Sequence, residues 1–172
     1  MFVLGIDPGL TRCGYAVVEA GARGGGRARS LGVITTDKAR PTALRLAELQ
    51  HELVSLFDDF NPTVLAVERI FFKNNLHSAV SVAQASGLAM AEGASRGLEV
   101  VEYSPSQIKA AVAGDGRADK LQMQQMVQTL LGLTAMPTPA DAADAAAVAL
   151  CHIAHDPAGR MSARMQQAGT RR

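Results

Sequence analysis

The chain has 172 residues, of which 48% are hydrophobic and 19% charged, enough for one domain with a substantial core and too few charges for a disordered polyelectrolyte. A formal net charge of +1 supplies no global attraction to nucleic acid or to anionic lipid, so any such surface must come from local clustering of lysine and arginine. No stretch approaches the ~20 apolar residues of a membrane span, and the N-terminal apolar run lacks the length and basic flank of a secretory signal; the expectation is a cytoplasmic protein without membrane contact.

Residues 2–6 are a short apolar run stopped by Asp7-Pro8-Gly9, which reads as a buried strand ending in a turn. Residues 14–18 and 30–36 are two further β-rich runs, and three strands on short connections suggest an antiparallel meander. Between them GARGGGRAR, residues 21–29, reads as a mobile hairpin loop, with a phosphate contact as the alternative. Over residues 41–60, Leu46, Leu49, Leu53, Leu56, Phe57 and Phe60 recur at spacings of three and four, which predicts an amphipathic helix. TVLAVE, residues 63–68, is a fourth strand, almost wholly apolar as a central strand covered on both faces requires.

Residues 75–96 read as a long helix whose alanines and serines permit close packing, within the fold or across a dimer. Residues 98–103 form a fifth strand. A helix over 104–112 starts with Ser104 as its cap and Pro105 in its first turn, and one over 119–133 is capped by Asp119. After MPTP an alanine-rich helix runs from 140 to about 155. This order predicts an α/β fold in one domain, residues 1–156, with a five-stranded mixed sheet flanked by helices on both faces. A basic, flexible tail follows over 157–172. Cys13 and Cys151, in apolar surroundings far apart in sequence, read as buried free thiols.

Four acids stand out by position. Asp7 and Glu68 end the first and fourth strands, and catalytic groups in open sheets gather outside strand ends. Asp141 and Asp144 are three apart in the first turn of the last helix and share a face amid alanines, with no lysine or arginine in that helix to neutralise them. Singly, each has a structural explanation: a turn aspartate, a solvated strand end, a helix cap, a group favoured by the helix dipole. Together they make an all-oxygen cage of the kind Mg²⁺ or Mn²⁺ prefers. Two such ions about 3.5–4 Å apart suit phosphodiester hydrolysis.

Directly after Glu68 comes Arg69-Ile70-Phe71-Phe72-Lys73-Asn74-Asn75. Adjacent aromatics beside basic and amide residues resemble a nucleic-acid contact, Phe71 or Phe72 stacking on bases and Lys73 meeting phosphate, the alternative being that both rings pack in the core. Lys109 and Lys120, on either side of the glycine-containing turn GDGRAD, and Arg117 within it suit phosphate neutralisation, the alternative being solvated surface charges. His152 and His155 lack a third metal ligand and read as structural.

The blocks VLGIDPGLTRCGYAVVE, LAVERIFFKNN, PSQIKAAVAGDGRADKLQMQQMVQTLLGL and PADAADAAAVALCHIAH, in this order, closely resemble the bacterial crossover junction endodeoxyribonucleases of the RuvC family, from residue 3 to about 155. The resemblance implies a ribonuclease H-like fold, with Asp7, Glu68, Asp141 and Asp144 matching the family's catalytic carboxylates. Phe71 matches its junction-contacting aromatic, and Lys109 and Lys120 its functional basic residues. It further implies a homodimer that nicks two like-polarity strands of a four-way junction, leaving 5′-phosphates, with RuvA and RuvB as partners. An ATPase of the actin and sugar-kinase type would need a second phosphate loop and a second half that this chain lacks. A non-catalytic junction-binding module would use the basic and aromatic groups alone; Mg²⁺-dependent nicking separates it from the nuclease.

Overall fold

Period-two alternation in the strands sets the layers of the molecule. The computed structural model describes residues 1–21, 24–70 and 76–156, the side chains of 76–78 excepted. Its elements are β1 (Phe2–Asp7), β2 (Arg12–Ala20), β3 (Gly26–Thr35), α1 (Thr42–Phe60), β4 (Val64–Glu68), α2 (Leu76–Ser95), β5 (Glu99–Tyr103), α3 (Pro105–Ala113), α4 (Lys120–Leu131) and α5 (Ala140–His155). The five strands form one sheet in the order β3-β2-β1-β4-β5. β1, β2 and β3 pair antiparallel, whereas β4 runs parallel to both β1 and β5. This is the mixed sheet expected from three hairpin-linked strands followed by two helical crossovers.

Leu4, Ile6, Val17, Leu65 and Val67 point to one side of the sheet, where they pack with Leu49, Leu53 and Phe57 of α1 and Ala85 and Ala89 of α2. Val3, Ala16, Val18, Val64 and Ala66 point to the other, against α3, α4 and α5. The register pairs Val3 with Val64 and Gly5 with Ala66. One pleat further on, Asp7 and Glu68 therefore end adjacent parallel strands facing the α5 side, since side chains two apart share a face.

The backbone of α5 lies directly on this face, and two strand glycines let it do so. A Cβ on Gly5 would sit 2.3 Å from the Ala145 carbonyl oxygen and 2.8 Å from the Ala149 nitrogen; one on Gly14 would sit 2.1 Å from the Asp141 carbonyl oxygen. Gly14 is the cross-strand partner of Asp7. Alanines 142, 143, 145, 146, 147 and 149 are all buried, so the small face of the helix and the bare strand positions meet at backbone distance. That contact carries the N-terminal turn of α5 to the end of β1.

One expectation is corrected. Residues 21–29 are not a loop throughout: Gly26, Arg27 and Ala28 pair with Ala20, Glu19 and Val18, past a bulge at Val17/Val18, and only 21–25 connect the strands. Arg29 ion-pairs with Glu19 across the hairpin, so arginines that suggest a solvated loop instead dress an edge strand, a usual place for charge. The capping expectations hold. Ser104 with Gln107 and Asp119 with Gln122 each form a reciprocal capping box. Cys13 and Cys151 are buried and free. The expected tail, 157–172, lies outside the described residues, among which no helix is long and apolar enough to cross a membrane.

Candidate active site

Asp7, Glu68 and Asp144 line one open cavity of about 380 Å³ at the ends of β1 and β4. Lys109 of α3 and Lys120 of α4 line it too, and Pro105, Ile108, Met123 and Ala147 form its apolar wall. The capped starts of α3 and α4 aim these elements at the strand ends, so both lysines join the carboxylates although 41 residues or more separate them from Glu68 in sequence.

Asp7 bears the electrostatic cost of the cluster. Burial first, then the charges of Glu68, Asp144 and Asp141, push its carboxyl up to about 7, with Lys120 acting in opposition. Burial and Asp144 also raise Glu68, against the pull of Lys109 and Lys120. Lys120 Nζ lies 3.2 Å from an oxygen of Asp144.

Asp141 behaves differently. Its helix has Pro139 at the N-cap, so Asp141 is not the capping residue. Arg12, at the start of β2, donates from Nε at 3.0 Å and from Nη2 at 2.7 Å, both to Oδ2 of Asp141. The guanidinium holds this carboxyl below the usual carboxylate range. Sequence reasoning missed Arg12; its one signal is its place five residues after Asp7 in IDPGLTR.

The donor chemistry fits a hard divalent cation: four carboxylates, no thiolate or imidazole, and a half-buried aspartate whose ionisation its neighbours oppose. Among the described residues no group of three or more histidine, cysteine, aspartate or glutamate side chains is arranged to hold an ion. Arg12 and Lys120 occupy oxygens of Asp141 and Asp144 instead.

Arg117 does not join the cavity. It projects from the turn before α4, its side chain 93% exposed and 3.6 Å from Asp115. Phe71, Phe72 and Lys73 lie outside the described residues. The histidines serve packing, as expected: His152 is buried with Nδ1 3.0 Å from the Tyr103 hydroxyl, and His155 Nδ1 lies 2.8 Å from the Cys151 carbonyl oxygen.

The family model described as crossover junction endodeoxyribonuclease RuvC matches residues 3–152. A relative of that name from Streptomyces avermitilis is 47% identical over 168 residues, covering 98% of this chain and 94% of its own. The solved RuvC of Thermus thermophilus superposes with a TM-score of 0.84 at 34% identity, covering 95% of this chain and 98% of that one. The same organism's RuvC in complex with a Holliday junction substrate gives a TM-score of 0.87 at 34% identity, covering 95% and 97%. The five-stranded mixed sheet with helices on both faces is thus the ribonuclease H-like fold.

Proposed function

The chain belongs to the crossover junction endodeoxyribonuclease RuvC family, and we infer that it is a DNA endonuclease that resolves Holliday junctions. We propose that Asp7, Glu68, Asp141 and Asp144 are its catalytic carboxylates. The observation that carries this reading is the meeting of Asp7, Glu68 and Asp144 with two lysines in one cavity, Asp141 standing one helical turn from Asp144.

These carboxylates would hold Mg²⁺, with Mn²⁺ able to substitute, in a two-ion site. When bound, such ions supply an activated water and stabilise the leaving oxygen of the phosphodiester. The chain does the rest. Asp7, its carboxyl raised to about 7, would have to lose its proton to serve as a ligand. Lys109 and Lys120, on the cavity wall, would offset the charge of a phosphate bound there. Pro105, Ile108 and Met123 exclude water from one side of that phosphate.

Phe71, Phe72 and Lys73, which follow Glu68 in sequence, contact the junction, and Arg117 meets a more distant phosphate. The enzyme acts as a homodimer, so two sites nick two like-polarity strands and leave 5′-phosphates. The exposed stripe Val80, Ala83, Gly87, Ala91 and Ala94 on α2 supports close helix packing between subunits. RuvA and RuvB as partners, and the cytoplasm as location, rest on the family resemblance. Residues 1–156 form the resolvase domain and 157–172 a basic tail.

The test mixes purified protein with a synthetic four-way junction and with a linear duplex of the same sequence, each with Mg²⁺ or EDTA. Mg²⁺-dependent, paired nicks on the junction alone are expected. Junction binding without nicking would leave a binding module instead.

A further inference from the structure

Two guanidinium nitrogens of Arg12 converge on a single oxygen of Asp141, and both side chains remain partly open to solvent, 45% and 31% exposed. The pair links the start of β2 to the start of α5, the two points that Gly14 holds at backbone contact. Arg12 therefore sits beside the carboxylate cluster by construction of the fold. Asp141, alone of the four carboxylates, is missing from the cavity lining that Asp7, Glu68 and Asp144 share. We propose that Arg12 is the resident counter-ion of Asp141, and that a divalent cation must displace or outcompete this guanidinium to recruit Asp141, so that Arg12 sets how much metal the site requires. The proposal rests on the reading of the four carboxylates as metal ligands.

The physical argument is competition for one carboxylate. A free aspartate presents a full negative charge to an incoming cation. Asp141 presents a charge already neutralised through two charge-assisted hydrogen bonds. If the guanidinium stays in place when metal binds, a positive charge remains within a few ångströms of a dication. If it leaves, the ion pair is lost. Both routes weaken binding. In partly solvated surroundings the penalty corresponds to about a threefold to tenfold loss of affinity. Lys120 on Asp144 makes one longer contact, at 3.2 Å, with a flexible ammonium that turns away easily.

A merely structural Arg12 predicts the opposite sign: removing it would loosen the start of α5 and weaken metal binding. The deciding experiment titrates Mn²⁺ into metal-free protein by calorimetry, without DNA, for wild type, Arg12→Gln, Arg12→Lys and Asp7→Asn, with thermal melts to establish that each is folded. Arg12→Gln is expected to bind Mn²⁺ about threefold to tenfold more tightly than wild type, and Arg12→Lys, which keeps the charge but loses the two-nitrogen fork, to fall between the two. Weaker or unchanged binding in Arg12→Gln would overturn the proposal while leaving the metal reading intact, provided wild type shows binding that Asp7→Asn loses. Absence of Asp7-dependent binding from both wild type and Arg12→Gln would overturn the metal reading and the proposal with it. Should Arg12→Gln fail to fold, Arg12→Lys decides: its ammonium lacks the two-nitrogen fork and competes less, so Mn²⁺ binding tighter than wild type supports the proposal, and equal or weaker binding overturns it.

Discussion

Replacing Asp7 by asparagine removes one negative charge from a half-buried cluster of like charges at nearly constant shape. The folded-state carboxyl titrates at about 7, against its ordinary 3.8. Above pH 7 the folded protein must therefore keep Asp7 ionised where burial and three neighbouring carboxylates oppose it. The gap between the two values corresponds to roughly 4 kcal/mol of lost stability, an upper bound because the cluster relaxes. The sign follows from proton counting. Between about pH 4 and pH 7 the folded state binds the proton more tightly than the unfolded one, so stability falls as pH rises through this window and levels off above it. In EDTA at pH 8, Asp7→Asn is expected to be more stable than wild type by about 2–4 kcal/mol, and the gain should shrink to about 1–2 kcal/mol at pH 5. Urea denaturation at the two pH values measures both differences. Addition of Mg²⁺ should stabilise wild type and leave Asp7→Asn unmoved, because a ligand stabilises only the state that binds it. A variant less stable than wild type in EDTA at pH 8 would refute the electrostatic account of the cluster.

Three further outcomes follow from the same geometry. Gly14→Ala places a methyl against the Asp141 carbonyl; it should lower stability by about 1–3 kcal/mol and reduce cleavage out of proportion to junction affinity, measured by denaturation and by gel assays. Cleavage at limiting Mg²⁺ should rise with pH up to about 7, as Asp7 loses its proton, and saturating Mg²⁺ should move that rise to lower pH because metal and proton compete for the carboxylate. Lys109→Ala should reduce the slope of log affinity against log salt by about 1 for junction binding, whereas an unchanged slope would remove Lys109 from the phosphate contacts.

The strand ends were legible because two simple periodicities converge on them. Val3, Gly5 and Asp7 alternate on one face of β1, and Val64, Ala66 and Glu68 on the same face of β4. The spacing of Asp141 and Asp144 likewise placed both on one side of α5. What brings the pairs together was harder to read. Gly5 and Gly14 look like ordinary strand glycines until α5 lies on them, and a single sequence does not say which helix will. The loop over 21–29 was overextended because glycine and arginine signal solvent exposure, which an edge strand provides as well as a loop does. Arg12 was missed because its partner is 129 residues away and no local pattern marks the pair. That pair and the Lys120 contact to Asp144 give both α5 carboxylates cationic neighbours from other elements.

The role of the four carboxylates can be measured directly on a synthetic four-way junction with Asp7→Asn, Glu68→Gln, Asp141→Asn and Asp144→Asn. Each substitution removes one charge and keeps the shape of the side chain. All four variants are predicted to bind the junction at least as tightly as wild type in EDTA and to lose Mg²⁺-dependent nicking by about a hundredfold or more, the scale on which losing a transition-state charge stabiliser acts. Nicking at the wild-type rate by any one of them would show that its carboxylate is not part of the site.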